Sequence, residues 1–331
     1  MTLVLSQTEV RALLPMERCA ELVAAALVEL SAGRAVNPLR KGMLLPDTPN
    51  LLGMMPGYSR DAKALGLKVV GVFPDNHGTG LDSHQGIVAL FDAADGRPTA
   101  IFDGSEITAI RTAAASTVAT RALAREDAGD LALLGSGTQA RTHLEAMRCA
   151  RELRRVRVFS RSRENREAFA RREAERTGLD VSACDSAREA VEGADLICTA
   201  TSSREPVLLG SWIADGAHIN AVGACMPKAR ELDSAAVRRS RLFTDCRESA
   251  ENEAGDYLIP LAEGAFAPEH LLGELGAVLA GELSGRTAAD EVTCFKSLGV
   301  AVEDLVVARF LLERGRELGV GTEVDLGGAS S

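Results

Sequence analysis

The chain has 331 residues, 46% of them apolar and 25% charged, with a formal net charge of −10 and a pI of about 5.2. That length supports two domains and a sizeable core. The acidic balance speaks against nucleic acid or an anionic membrane as partner, and no apolar run approaches the roughly 18–20 residues that span a bilayer.

The opening stretch, "MTLVLSQTEVRALLP", lacks the basic segment and cleavage site expected of a secretory signal. Seven cysteines, Cys19, Cys149, Cys184, Cys198, Cys225, Cys246 and Cys294, are scattered and form no C-x-x-C pair. Five histidines show no H-x-x-x-H spacing. No disulfide framework and no metal site are expected, and the expected setting is a reducing cytoplasm.

In chain order, residues 17–32 follow Pro15 and carry apolar residues at helical spacing, predicting a helix. From Arg40 to Phe102 the pattern turns to short β-rich runs punctuated by Gly and Pro. "QGIVALFDAADGRPTAIFDG" predicts a hairpin around its polar centre. "SEITAIRTAAASTVATRALA" predicts a tightly packed helix. From Ala128 the texture becomes β-α-β. Strands are expected in "DLALLGSG", "RVRVFS", "LDVSA", "ADLICTAT", "GAHINAVG" and "RLFTD", with helices over 138–151, 164–177, 186–193 and 233–240. Such alternation predicts a parallel sheet covered on both faces. After Gly264 the chain is expected to be helical, ending in "SLGVAVEDLVVARFLLERGREL" and a frayed tail. The fold class predicted is α/β. A doubly wound domain covers 125–300, and a mixed α+β domain covers 1–124 and 301–331, completed by the C-terminal helix.

"LALLGSGTQARTHLEAM" places Gly135-x-Gly137-x-x-Ala140 straight after a strand and at the opening of a helix. Gly135 permits the tight turn, Gly137 lets backbone approach a pyrophosphate, and Ala140 keeps the helix close to the sheet. The helix N-terminus adds N–H donors and partial positive charge. The loop Gly135, Ser136, Gly137, Thr138, Gln139 and Ala140 is therefore the expected cofactor cradle of a Rossmann-type domain. An NAD site wants a carboxylate at the end of the second strand. This chain has Ser160-Arg161-Ser162-Arg163 there, so Ser160, Arg161 and Arg163 suit a 2′-phosphate. NADPH/NADP is expected, with NAD less favoured.

Three cations sit where charge is awkward. Lys68 lies within the apolar "ALGLKVVGVF", Arg111 within "ITAIRTAAAS", and Arg40 opens "RKGMLLP". A buried cation needs an anion, and a substrate carboxylate would supply one. The bland alternatives are a Lys68 on the wet face of its strand and an Arg111 paired with Glu106.

Together "SHQGIVALFD", "ITAIRTAAAS", "LGSGTQA", "GAHINAVGACMPKARELD" and "FKSLGVAVEDLVVA" resemble the ornithine cyclodeaminase/mu-crystallin family, in order and spacing, from Arg40 to about Ala308. The resemblance implies a homodimer formed through the first domain, a nicotinamide cofactor on the second, and the active site between them. It implies that Arg40, Lys68 and Arg111 hold a substrate carboxylate. It also implies that Arg111, Thr112 and the Gly135–Ala140 loop contact the cofactor, and that Thr199, Thr201, Val222 and Ser297 line it.

The family divides at "NAVGACMPKARELD". Its cyclodeaminases resemble "NAVGGDCPGKTEL", with an aspartate where this chain has Cys225. Its ketimine reductases resemble "HINAVGAS-x-P-x-x-REL", which is nearer. Cyclodeamination needs a carboxylate for the substrate's second amine. Reduction of a preformed cyclic imine needs a clamped carboxylate, a proton for the imine nitrogen and a nearby hydride donor. The expected activity is NADPH-dependent reduction of a small cyclic imine carboxylate. The alternatives are an ornithine cyclodeaminase or amino-acid dehydrogenase acting on an amino acid, and a binding protein without turnover. Lys68 and His84 are the candidate proton donors. Cys225 is a pocket-lining candidate, and Lys228 and Arg230 are the cations near it in sequence that would activate it as a nucleophile.

Overall fold

The computed structural model describes residues 1–76 and 79–327. Among the described residues its strands are, in chain order, β1 (Thr2–Leu5), β2 (Lys41–Leu44), β3 (Leu51–Ser59), β4 (Ala64–Val72), β5 (His84–Phe91), β6 (Pro98–Asp103), β7 (Asp130–Leu134), β8 (Arg155–Phe159), β9 (Val181–Ala183), β10 (Leu196–Thr199), β11 (His218–Ala221), β12 (Ser240–Thr244), β13 (Leu271–Glu274), β14 (Val292–Lys296) and β15 (Thr322–Val324). The chain divides into two compact units, Met1–Arg111 with Val300 onward, and Thr112–Gly299. No helix among the described residues is long and apolar enough to cross a membrane.

The first unit holds a sheet of order β15-β1-β6-β5-β4-β3-β2. It is antiparallel except where β1 pairs with β6. The helix Met16–Ser31 starts directly after Pro15, whose fixed φ suits a helix entry. It packs against the helix Ala301–Leu318, which lies on β3, β4 and β5. That second helix is buried along Val302, Leu305, Val306 and Leu312, and Gly319 closes it in the left-handed conformation. The β3–β4 turn is tied down by Glu29, a buried acid that accepts from Ser59 Oγ and the N–H groups of Arg60 and Asp61.

The second unit is an all-parallel sheet of order β13-β12-β14-β11-β10-β7-β8-β9. Its strand order reverses between β7 and β10, the switch point where ligands bind in doubly wound sheets. Buried Leu131, Leu133, Val156, Val158, Ile197 and Ile219 make the apolar runs that a sheet covered on both faces requires.

Two expectations are corrected. Residues after Gly264 are not uniformly helical, because β13 and β14 lie there. "VTCFK" forms β14, a fully buried strand between β11 and β12. Its lysine hides the pattern, since Lys296 is buried and paired with Asp256 at 3.0 Å. The tail is not wholly frayed, because Thr322–Val324 pairs antiparallel with β1 and satisfies that strand's open edge.

Candidate active site

In the first unit Lys68 occupies the middle of β4, opposite Met55 and Val88. All three are buried, on the face covered by the Ala301–Leu318 helix. Lys68 is therefore on the dry side of its strand, not the wet one. Its Nζ lies 2.8 Å from Asp304 Oδ2 and donates at 3.4 Å to Thr108 Oγ1. Arg111 stands three residues beyond Thr108 on the helix Gly104–Leu123. Its Nε donates to Asp304 Oδ1 at 2.9 Å and its Nη1 to Glu303 Oε2 at 3.1 Å. One buried carboxylate thus bridges two buried cations. Glu106, the partner that sequence proximity offered to Arg111, is instead gripped by Arg11 through two bonds of 2.8 Å.

Burial pushes the Lys68 ammonium down to about 8, the Arg111 and Arg40 charges push the same way, and Asp304 opposes them. Arg40, half-buried just before β2, therefore belongs to the same electrostatic cluster. Burial alone would raise the Asp304 carboxyl, but Arg111 and Lys68 outweigh it and hold it below the usual carboxylate range. Cations concentrated in so dry a place suit contact with a small anion. His84 is not brought to this cluster. It is exposed at the start of β5, four residues before Val88, which is roughly 13 Å along the strand. Its Nδ1 lies 3.1 Å from Ser83 Oγ.

In the second unit the glycine loop follows β7. Gly135 has φ +123, and a Cβ there would sit 2.4 Å from the Ala200 carbonyl oxygen. No other residue fits that approach. Gly137 precedes the helix Thr138–Ala150, no side chain caps that end, and nothing lies within 4 Å of the site a Cβ would take. Ala140 is buried against the sheet. Gln139 Oε1 is buried without a hydrogen-bond partner. An open glycine cradle and a helix N-terminus that no side chain caps fit a dinucleotide pyrophosphate. At the end of β8, Ser136 Oγ donates to Ser160 Oγ at 2.9 Å. Arg161 is exposed, whereas Arg163 turns to Glu167 at 2.7 Å.

Thr199, Thr201, Val222, Cys225 and Ser297 gather at the carboxyl ends of neighbouring strands β10, β11 and β14. Thr112 is buried one residue past Arg111, where the second unit begins. Ser297 Oγ is buried with no partner. Cys225 is half-buried, with Sγ 3.5 Å from the Val222 oxygen and 3.8 Å from that of Ser297. Arg230 is engaged elsewhere, by Glu263 at 3.0 Å and Ser234 at 3.1 Å. The cation that senses Cys225 is Lys296. Burial would lower the Lys296 ammonium, but Asp256, Cys225 and Glu231 raise it above the ordinary lysine value.

Sequence reasoning missed the acids of both clusters. The available signal was two adjacent acids, Glu303 and Asp304, inside the apolar "VAVEDLVVA". Acids in such a run need buried cations to answer them.

A model of the ornithine cyclodeaminase/mu-crystallin family matches residues 1–318. The chain belongs to that family. Within the family, the Δ1-pyrroline-2-carboxylate reductase of Bacillus cereus is 39% identical over 324 residues, 98% of this chain and 99% of its own. The ketimine reductase mu-crystallin of Mus musculus is 41% identical over 281 residues, 85% of this chain and 86% of its own. The solved structure of Thermococcus litoralis Δ1-pyrroline-2-carboxylate reductase, in complex with NADH and L-proline, has a TM-score of 0.95 at 40% identity. It covers 98% of this chain and 100% of the Thermococcus one.

Proposed function

We propose that this oxidoreductase of the ornithine cyclodeaminase/mu-crystallin family reduces cyclic ketimine carboxylates with NADPH. The substrates assigned are Δ1-pyrroline-2-carboxylate, giving L-proline, and Δ1-piperideine-2-carboxylate, giving L-pipecolate. The observation that carries the proposal is that Asp304 bridges the buried Lys68 and Arg111, with the half-buried Arg40 near enough to lower the Lys68 ammonium. The names of the relatives, Δ1-pyrroline-2-carboxylate reductase and ketimine reductase, support the reduction of a C=N bond.

Arg40 and Arg111 grip the carboxylate, and Lys68 supplies the proton that the imine nitrogen takes up. An ammonium held near 8 gives up its proton more readily than an ordinary lysine. A nicotinamide cofactor, when bound, supplies hydride to the C=N carbon, so that one hydride and one proton convert the imine to the amine. The residues assigned to hold it are the Gly135–Ala140 loop, Thr112, Thr199, Thr201, Val222 and Ser297. Ser160 and Arg161 favour the 2′-phosphate of NADPH, and Arg163 contributes less because Glu167 holds it. Cys225 offers no carboxylate for a second substrate amine, which favours the reductase over a cyclodeaminase.

The sheet face opposite Lys68 carries Leu52, Met54, Leu67, Val69, Ile87 and Ile101 without full burial. This supports a homodimer formed through the first unit. None of the seven cysteines forms a disulfide, which suits the cytoplasm.

The test is loss of NADPH absorbance with either imine, beside an ornithine arm read as ammonia release. Turnover of the imines is expected. Ammonia from ornithine with no imine turnover would overturn the assignment.

A further inference from the structure

Beside the switch point, the turns after β10 and β11 are held by a buried carboxylate. Glu231 is fully buried. Its Oε1 accepts the Thr201 N–H at 2.7 Å. Its Oε2 accepts the Thr199 hydroxyl and the Gly223 N–H, each at 2.7 Å. One side chain therefore ties the turn after β10 to the turn after β11.

Both turns lead further. After β10, the Ala200 carbonyl is the group against which Gly135 folds, and Ala200 N donates to Leu134 O at 2.8 Å. After β11, Gly223 precedes Cys225 and cannot carry a side chain. A Cβ there would lie 2.3 Å from the Thr201 oxygen and 2.5 Å from Glu231 Oε1. Glu231 is fixed from behind as well. Asp256 Oδ1 accepts the backbone N–H groups of Glu231 and Leu232 at 2.7 and 2.9 Å, and Lys296 holds the other oxygen of Asp256 at 3.0 Å.

We propose that Glu231 is a positioning residue for the cofactor: its carboxylate sets the spacing between the turn supporting the glycine loop and the turn carrying Cys225. The assignment rests on the cofactor site proposed above. Glu231 touches no reacting atom and acts through Thr199, Thr201 and Gly223.

Glu231→Gln is the test, because it preserves size and removes one acceptor. An amide nitrogen must then face a backbone N–H in one of the two turns, and neither N–H can reverse its role. The binary dissociation constant for NADPH, read by the cofactor's fluorescence well below the melting temperature, is expected to rise about tenfold or more. The kcat is expected to fall with it. Thr199→Val removes only the hydroxyl donor and is the milder variant if Glu231→Gln does not fold. It is expected to weaken NADPH binding severalfold. Wild-type NADPH affinity and kcat in either folded variant, even with a lowered melting temperature, would reduce Glu231 to a purely structural role and overturn the proposal. The comparison is made on NADPH binding. Absence of imine turnover in the wild type would therefore count against the proposed reaction and not against this assignment.

Discussion

Lys68 with Asp304 in the first unit and Lys296 with Asp256 in the second are the same chemical pair. They lie at 2.8 and 3.0 Å, and all four side chains are buried. Their surroundings nevertheless push the two ammonium groups in opposite directions. Lys68 shares Asp304 with Arg111 and feels Arg40, so burial and two like charges bring it down to about 8. Lys296 faces two carboxyl groups, Asp256 and Glu231, which outweigh its burial and raise it. Correspondingly, burial and Asp256 push the Glu231 carboxyl up, while Asp304 is held down. The sign of the neighbourhood, not the pair, separates an ammonium that gives up its proton near 8 from one that stays charged and fastens loops.

The comparison breaks first at Lys68. Lys68→Met is expected to lower kcat/KM for the imine carboxylate roughly 10²–10⁴-fold, while urea unfolding changes by no more than about 1 kcal/mol, since Arg111 still answers Asp304. Lys296→Met should show the reverse emphasis. It leaves Asp256 buried without its cation, and equilibrium unfolding should lose about 3–5 kcal/mol.

The pH dependence sharpens the contrast. Activity should fall as pH rises through about 8, roughly tenfold per unit, as Lys68 gives up its proton. The stability signs also differ. Lys68 is lowered in the folded state, so its cost to folding is present below about 8 and is relieved as pH climbs toward its ordinary value. Lys296 is raised, so its contribution is complete below the ordinary lysine value and is lost only above it. Asp304→Asn, which removes the charge that supports the Lys68 ammonium, should move the alkaline limb of kcat/KM to lower pH. The smallest effects concern the cofactor. Arg161→Ala should raise the KM for NADPH about tenfold with little change for NADH. Arg163→Ala should change either by less than about twofold, because Glu167 already holds that guanidinium.

The parts of the molecule written in local pattern were legible. Gly135-x-Gly137-x-x-Ala140 announces itself because strand, turn and helix are contiguous, and the β5–β6 hairpin because its two apolar runs flank "DAADGRP". Lys68 and Arg111 were visible as cations in apolar company. Their partners were not, because Asp304 lies 236 and 193 positions away and only the packing of the last helix onto β4 brings it near. β14 was unreadable for a related reason. Its lysine is paired with a residue from a different element, so a buried strand was not told apart from the helical run expected after Gly264. Glu231 was hidden inside a motif already used for comparison, where "REL" gives no hint that the glutamate turns back onto two loops.

The most direct measurement compares Δ1-pyrroline-2-carboxylate with Δ1-pyrroline, the same imine lacking the carboxylate, at one pH and saturating NADPH. The proposed carboxylate grip by Arg40, Lys68 and Arg111 predicts rejection of the analogue by about 10³-fold or more in kcat/KM. Reduction of Δ1-pyrroline within about tenfold of the carboxylated imine would contradict the account.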